Sequence, residues 1–219
     1  TTAENSAVLL DRTAFYPGGG GQPADSGGLT WDGRALTVER ARKNPQGVWH
    51  LLAPNSELPP VGARVTGAIH WGQRYALMRT HTAMHILCGV VFRDYGALVT
   101  GGDMEPLHGR MDFEFESLTK DLVAVIEAAV NREVAAARPV TVRILPREEA
   151  FQIPDLIRTK INLLPPEISH VRTVELAGLD LQADGGTHVA STAEVGRMRV
   201  VDYKSKGKIN KRIYIELDD

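Results

Sequence analysis

The spacing of apolar and polar positions changes character near Gly72. Ahead of it lie short alternating runs at 7–10, 35–39, 48–52 and 65–71, separated by turn signals such as Asp32-Gly33 and Asn44-Pro45. Alternation with period two places successive side chains on opposite faces of a strand, so each run is expected to be a strand. Several short strands without a helix predict a small β-barrel or sandwich over residues 1–72. Beyond Gly72 the period lengthens. Met78, His81, Met84, His85 and Cys88 recur at spacings of three and four and predict a helix over 74–95. Residues 110–115 alternate as a strand. Ser117 or Thr119 can cap a second helix reaching 137, with Pro139 past its end. Strands follow at 140–145, 171–176, 198–203 and 212–217, with a short helix at 148–153 stopped by Pro154 and a turn at 207–210. Residues 73–219 therefore form a second domain, and the whole chain is α+β.

The 219 residues suffice for one large domain, or for one domain and a smaller module. No apolar run approaches the roughly 20 residues of a membrane helix. The first residues are polar and do not have the pattern of a secretory signal. A single cysteine, Cys88, excludes an internal disulfide, and a cytoplasmic location is expected. A net charge of −2 does not mark a nucleic-acid binder, but the local pattern adds something. Lys204, Lys206, Lys208, Lys211 and Arg212 gather around one turn. Lys204, Lys206 and Lys208 alternate and can share one strand face, where they would meet RNA phosphates. No DNA and no membrane partner is expected.

Two features carry chemistry. His81 and His85 stand at i and i+4, one helical turn apart on one face, where both imidazoles can hold one metal. The residue after His81 is Thr82, so the glutamate base of a zinc protease is missing. Far downstream, Asp184 and His188 flank Gly185, Gly186 and Thr187. Paired glycines let the backbone bend sharply and approach a ligand, and the two flanking side chains can complete a four-ligand set. Cys88 shares the helix stripe but lies about 10 Å along the axis from His81, too far to join a metal held by both histidines. The run 18–21 is four glycines, followed by Gln22 and Pro23. No Gly-Lys-Ser/Thr closes it, so it is not a phosphate-binding Walker loop.

Taken in order, Thr13, Phe15, Tyr16 and Pro17, the glycines with Gln22, the His81/His85 pair, and Gly185, Gly186, Thr187, His188 and Val189 resemble the alanyl-tRNA synthetase editing domain. The likeness covers nearly the whole chain. An aminoacylation domain is missing, so the chain is similar to the freestanding AlaX-type trans-editing proteins of medium length. The resemblance implies a small β-barrel followed by a two-layer α/β editing core, shared with threonyl-tRNA synthetase. It implies zinc held by two helix histidines, a cysteine and a final histidine, which fall on His81, His85, Asp184 and His188. Asp184 departs from the usual cysteine. A carboxylate is a harder ligand that alters metal preference, or else Asp184 orients a ligand or water. The resemblance further gives Thr100 the serine hydroxyl of the substrate, and gives Thr13, Gly19, Gly20, Gly21 and Gln22 a modulating role.

The implied substrate is tRNA for alanine carrying serine, with glycine second, and the implied reaction is hydrolysis of the aminoacyl ester. The metal would activate water or anchor the substrate amino group. Amides around Gly185 and Gly186 would stabilise the oxyanion, with Thr187 beside them. Alternatives are a non-catalytic tRNA-binding module of the same fold and a hydrolase of another aminoacyl-tRNA.

Overall fold

A computed structural model describes residues 6–162 and 164–219. The chain divides into two compact units between Tyr75 and Ala76. The first holds five strands, β1 (Ala7–Leu9), β2 (Gly27–Trp31), β3 (Arg34–Asn44), β4 (Gly47–Leu52) and β5 (Thr66–Ile69). They form one antiparallel sheet in the order β1-β4-β3-β2-β5. β1 and β5 are its outer strands, and no ladder joins them among the described residues. Phe15, Leu29, Leu36, Val38, Ala41 and Leu52 make the core on one face. A bulge between Val38 and Arg40 lets β3 bury Leu36, Val38 and then Ala41, a step of three where strict alternation would give two. β2 was not foreseen, because Gly27-Gly28 reads as a turn. In the fold Gly27 is where β5 comes closest, and a Cβ there would lie 2.1 Å from Ala68 O.

The second unit is built around α1 (Trp71–Tyr95), whose first turn lies in the first unit. The helix starts three residues earlier than the pattern suggests, so the strand expected at 65–71 shortens to β5 and Trp71 becomes helical. Neither His70 nor Trp71 is a favoured capping residue, which hid the start. Every residue from Thr80 to Val91 is buried, as expected of a helix enclosed on all sides. One neighbour is a four-stranded antiparallel sheet, β11-β12-β7-β6, of β6 (Val99–Glu105), β7 (His108–Glu114), β11 (Met198–Ser205) and β12 (Asn210–Leu217). Met84 seats against Gly102 and Gly109 of that sheet. The other neighbour is a three-stranded antiparallel sheet, β10-β9-β8, of β8 (Val140–Pro146), β9 (His170–Leu176) and β10 (Asp180–Ala183). Gly89 lies against Leu179 and Asp180 there.

α2 (Lys120–Ala135) starts at the foreseen cap, Thr119 Oγ1 accepting from Leu122 N–H at 3.2 Å. Its side chains also cover the free edge of β11. Asn131 accepts from Met198 N–H and donates to Met198 O, and Glu127 accepts from Val200 N–H. Such cover satisfies edge groups that would otherwise template pairing with another chain. α3 (Arg147–Ala150) is shorter than the 148–153 expected. The molecule is thus α+β with antiparallel sheets. Among the described residues no helix is long and apolar enough to cross a membrane.

Candidate metal centre

α1 delivers His81 and His85 from successive turns. Asp184 and His188 arrive on the loop after β10. His81 and His85 are 4% and 6% exposed, so neither imidazole is a surface group. One ligand atom from each of the four lies within 4.8 Å of the others. The ring centroids of His81, His85 and His188 are 4.3–5.2 Å apart. Asp184 Oδ2 is 3.0 Å from His188 Nε2, and Oδ1 is 3.5 Å from His81 Nε2. The two distant motifs therefore converge because β10 runs beside the helix.

The carboxylate is held from behind. Gly186 N–H donates to Asp184 Oδ2 at 2.7 Å, and Arg172 donates to the Asp184 carbonyl at 2.9 Å. Burial alone would raise the Asp184 pKa. Hydrogen bonds with His188 and His81, and the charges of His81 and His85, outweigh burial and hold it far below the carboxylate range. Burial, then the neighbouring His81, pushes His188 down to about 3. Burial also lowers His81, against the pull of Asp184. Both shifts favour the neutral imidazole, the form that binds a metal. Three imidazole nitrogens and one anionic oxygen, close-set and largely shielded from solvent, suit zinc and fit the related nitrogen- and oxygen-seeking divalent ions.

Asp180 is the residue the sequence reading missed. Its side chain is fully buried and its Oδ2 accepts from His85 Nδ1 at 3.2 Å, which turns His85 Nε2 toward the cluster. Arg158 Nε at 3.3 Å and Gln182 Nε2 at 2.6 Å hold the same carboxylate. Burial raises Asp180, but His85, Gln182 and Arg158 together bring it below its ordinary value. His85 shows the reverse balance, since burial lowers it while Asp180 and Asp184 raise it on balance. A usable signal existed, because residues 180 and 182 share one face of the strand that leads into Asp184. Cys88 is buried and lies outside the group of four, and burial beside Asp180 pushes its thiol well above the ordinary range.

The remaining expected residues lie as follows. Gly185 is exposed and its N–H has no hydrogen bond among the described residues, whereas the Gly186 N–H is committed to Asp184. Thr187 is half-buried beside His188. Thr100 is exposed at a bulge of β6, and its hydroxyl donates to Asn210 Oδ1 at 2.9 Å rather than to any of the four. Only Lys204 of the three lysines lies in β11; Lys206 and Lys208 are in the turn after it. Lys204 pairs with Asp202 and lies over the Tyr214 ring. Lys211 is buried, donating to the Gly207 and Lys208 carbonyls, and Arg212 is bound to Asp112. In the first unit, Gly18, Gly19, Gly20 and Gly21 all have positive φ. Gly19 and Gln22 exchange two backbone hydrogen bonds of 3.0 Å. Only glycine adopts four such residues in a row without strain. Thr13 bonds His50 Nε2 at 2.7 Å.

Comparison with known proteins agrees with this arrangement. Residues 1–73 match the family of class II (A) tRNA synthetases, and residues 171–214 match the threonyl and alanyl tRNA synthetase second additional domain. The chain is 38% identical over 213 residues to the alanyl-tRNA editing protein AlaX-M of Saccharolobus solfataricus, covering 96% of this chain and 89% of the relative. It is 36% identical over 222 residues to AlaX-M of Methanosarcina acetivorans, covering 99% and 91%. It is also 38% identical over 200 residues to the alanine–tRNA ligase of Thermofilum pendens, covering 90% of this chain but 22% of the ligase. With such likeness along nearly its whole length, the chain belongs to the alanyl-tRNA synthetase editing-domain family, among the AlaX-M proteins.

Proposed function

We propose that this chain is an aminoacyl-tRNA deacylase that frees serine, and secondarily glycine, from misloaded tRNA for alanine, with zinc held by His81, His85, Asp184 and His188. The convergence of these four side chains, two buried and two largely buried, in a chain so like the AlaX-M editing proteins, carries the reading. Bound zinc supplies Lewis acidity toward an ester carbonyl.

The chain's own groups do the rest. The Gly185 N–H, exposed in the loop, would donate to the oxyanion that develops on the carbonyl oxygen. The Gly186 N–H fixes Asp184 instead. Thr100 has given its proton to Asn210, so its oxygen accepts the hydroxyl proton of a serine side chain. Alanine offers no such proton. Once the aminoacyl end of the substrate covers Thr100, one hydrogen bond gained or lost is worth about 1–3 kcal/mol, roughly 10- to 100-fold, which spares the correctly charged tRNA. Glycine turnover requires a pocket that excludes the alanine methyl. Lys204, Lys206 and Lys208 bind tRNA phosphates by charge. The first unit forms a barrel-like module carrying the glycine hairpin, with Thr13 to Gln22 modulating substrate choice. The setting is the cytoplasm, where tRNA is charged.

The test is deacylation of serine-, glycine- and alanine-charged tRNA for alanine, with and without chelator. Chelator-sensitive release of serine, with alanine spared, is the expected result. No release of serine or glycine under metal-replete conditions would sink the editing activity.

A further inference from the structure

Thr82 lies between the two helix histidines, where a zinc protease would carry its glutamate. It is fully buried, and its hydroxyl is the meeting point of three hydrogen bonds. Oγ1 donates its only proton to the Met78 carbonyl one helical turn back, at 2.9 Å. The same oxygen lies 3.3 Å from His188 Nδ1 and 3.3 Å from the Val189 backbone nitrogen. With its proton committed, the oxygen can only accept. The Val189 N–H donates to it, and His188 must present Nδ1 in the protonated form.

We infer that Thr82 is a positioning residue that selects the metal-binding tautomer of His188 and docks the 184–189 loop onto α1. A neutral imidazole protonated at Nδ1 has its lone pair on Nε2. Nε2 is the atom that faces Asp184 Oδ2 at 3.0 Å. Without a metal a proton fills that gap as a hydrogen bond, and the tautomer set by Thr82 favours giving that place to a metal ion. Asp180 does the same for His85 through its Nδ1. His85 of α1 and His188 of the loop are thus each oriented by a partner on the far nitrogen. The Val189 bond adds a second effect, since it fixes the backbone next to His188 to the same helical turn that bears His81.

This inference rests on the metal reading of the four-residue cluster. Its test is zinc affinity, measured on the purified protein by competition with a chromophoric chelator, for the native chain, Thr82→Ser, Thr82→Val and Thr82→Ala. Thr82→Val keeps the shape and loses the hydroxyl, and should weaken zinc binding 10- to 100-fold, the range for loss of a partner behind a metal ligand. Thr82→Ser keeps the hydroxyl and should stay within a few-fold of the native chain, a rescue that packing alone does not produce. If Thr82→Val does not fold, the Ser and Ala pair carries the same comparison, with Ala as the weak binder. Native-like affinity in Val or Ala, or equal losses in Ser and Ala, would overturn the role of Thr82 while leaving the zinc site standing. A native chain that binds no zinc would overturn both.

Discussion

Asp180 Oδ2 lies 3.2 Å from His85 Nδ1, and both groups are buried. The contact orients one ligand of the cluster through its far nitrogen, and Arg158 and Gln182 complete the carboxylate's partners. Replacing Asp180 by Ala should weaken zinc binding 10- to 100-fold. It should also lower stability by about 3–5 kcal/mol, because Arg158 is left as a buried charge without its partner. Chelator competition and denaturant unfolding read the two effects separately. Unchanged zinc affinity in a folded variant would remove Asp180 from the site.

Gly89 is the residue that lets Asp180 come so near. A Cβ at position 89 would stand 3.0 Å from both Asp180 Cβ and Leu179 Cγ. In an exposed helix, Ala in place of Gly gains about 1 kcal/mol. At this buried contact overpacking costs about 1–3 kcal/mol and pushes β10 outward. Gly89→Ala should therefore lower the melting temperature and weaken zinc binding together. A variant more stable than the native chain would show that the strand gives way freely.

Asp184 stands where the resemblance places a cysteine. Asp184→Cys exchanges a hard oxygen for a thiolate, which zinc favours over oxygen-seeking ions such as manganese. The expected outcome is tighter zinc and a larger zinc-to-manganese ratio, read by competition titration. Weaker zinc in Asp184→Cys would mean that the carboxylate's bond from Gly186 matters more than its ligand chemistry.

His50 gives the first unit a pH-dependent stability. It is buried, its Nδ1 donates to Val8 O at 3.3 Å, and its Nε2 accepts from Thr13. Burial lowers its pKa, against the Val8 hydrogen bond. The unfolded chain takes up a proton near pH 6.5, while the folded chain resists. Stability is therefore full above about 6.5 and falls as the pH drops from there toward the folded pKa. Trp31 and Trp49 lie in strands of this unit, so their fluorescence, followed in a chain with Trp71→Phe, reports its unfolding. His50→Gln should flatten the pH dependence in that window. An equally steep loss in the variant would assign it elsewhere.

Neutralising Lys204, Lys206 and Lys208 to Gln should weaken tRNA binding and reduce its dependence on salt. Each lost phosphate contact lowers the slope of log affinity against log salt by about 0.7–0.9. Lys204 is the lesser contributor, since Asp202 already pairs with it. Affinity and slope both unchanged would rule out the turn as a tRNA contact.

The sequence by itself determined the helix that carries His81 and His85, the cap at Thr119 and most strands of the second unit. These are local matters, settled by periodicity and by side chains within a few residues of one another. The four residues of the candidate metal cluster were also legible, because they match a known pattern. Tertiary structure decided what surrounds them. Asp180 reaches His85 from 95 residues away, and Thr82 reaches His188 from 106 residues away. No local pattern encodes these pairs; they exist because Gly89 admits β10 against the helix. β2 escaped notice for the same reason. Gly27-Gly28 looks like a turn in one dimension, and only the approach of Ala68 shows that glycine is there to make room for a neighbouring strand.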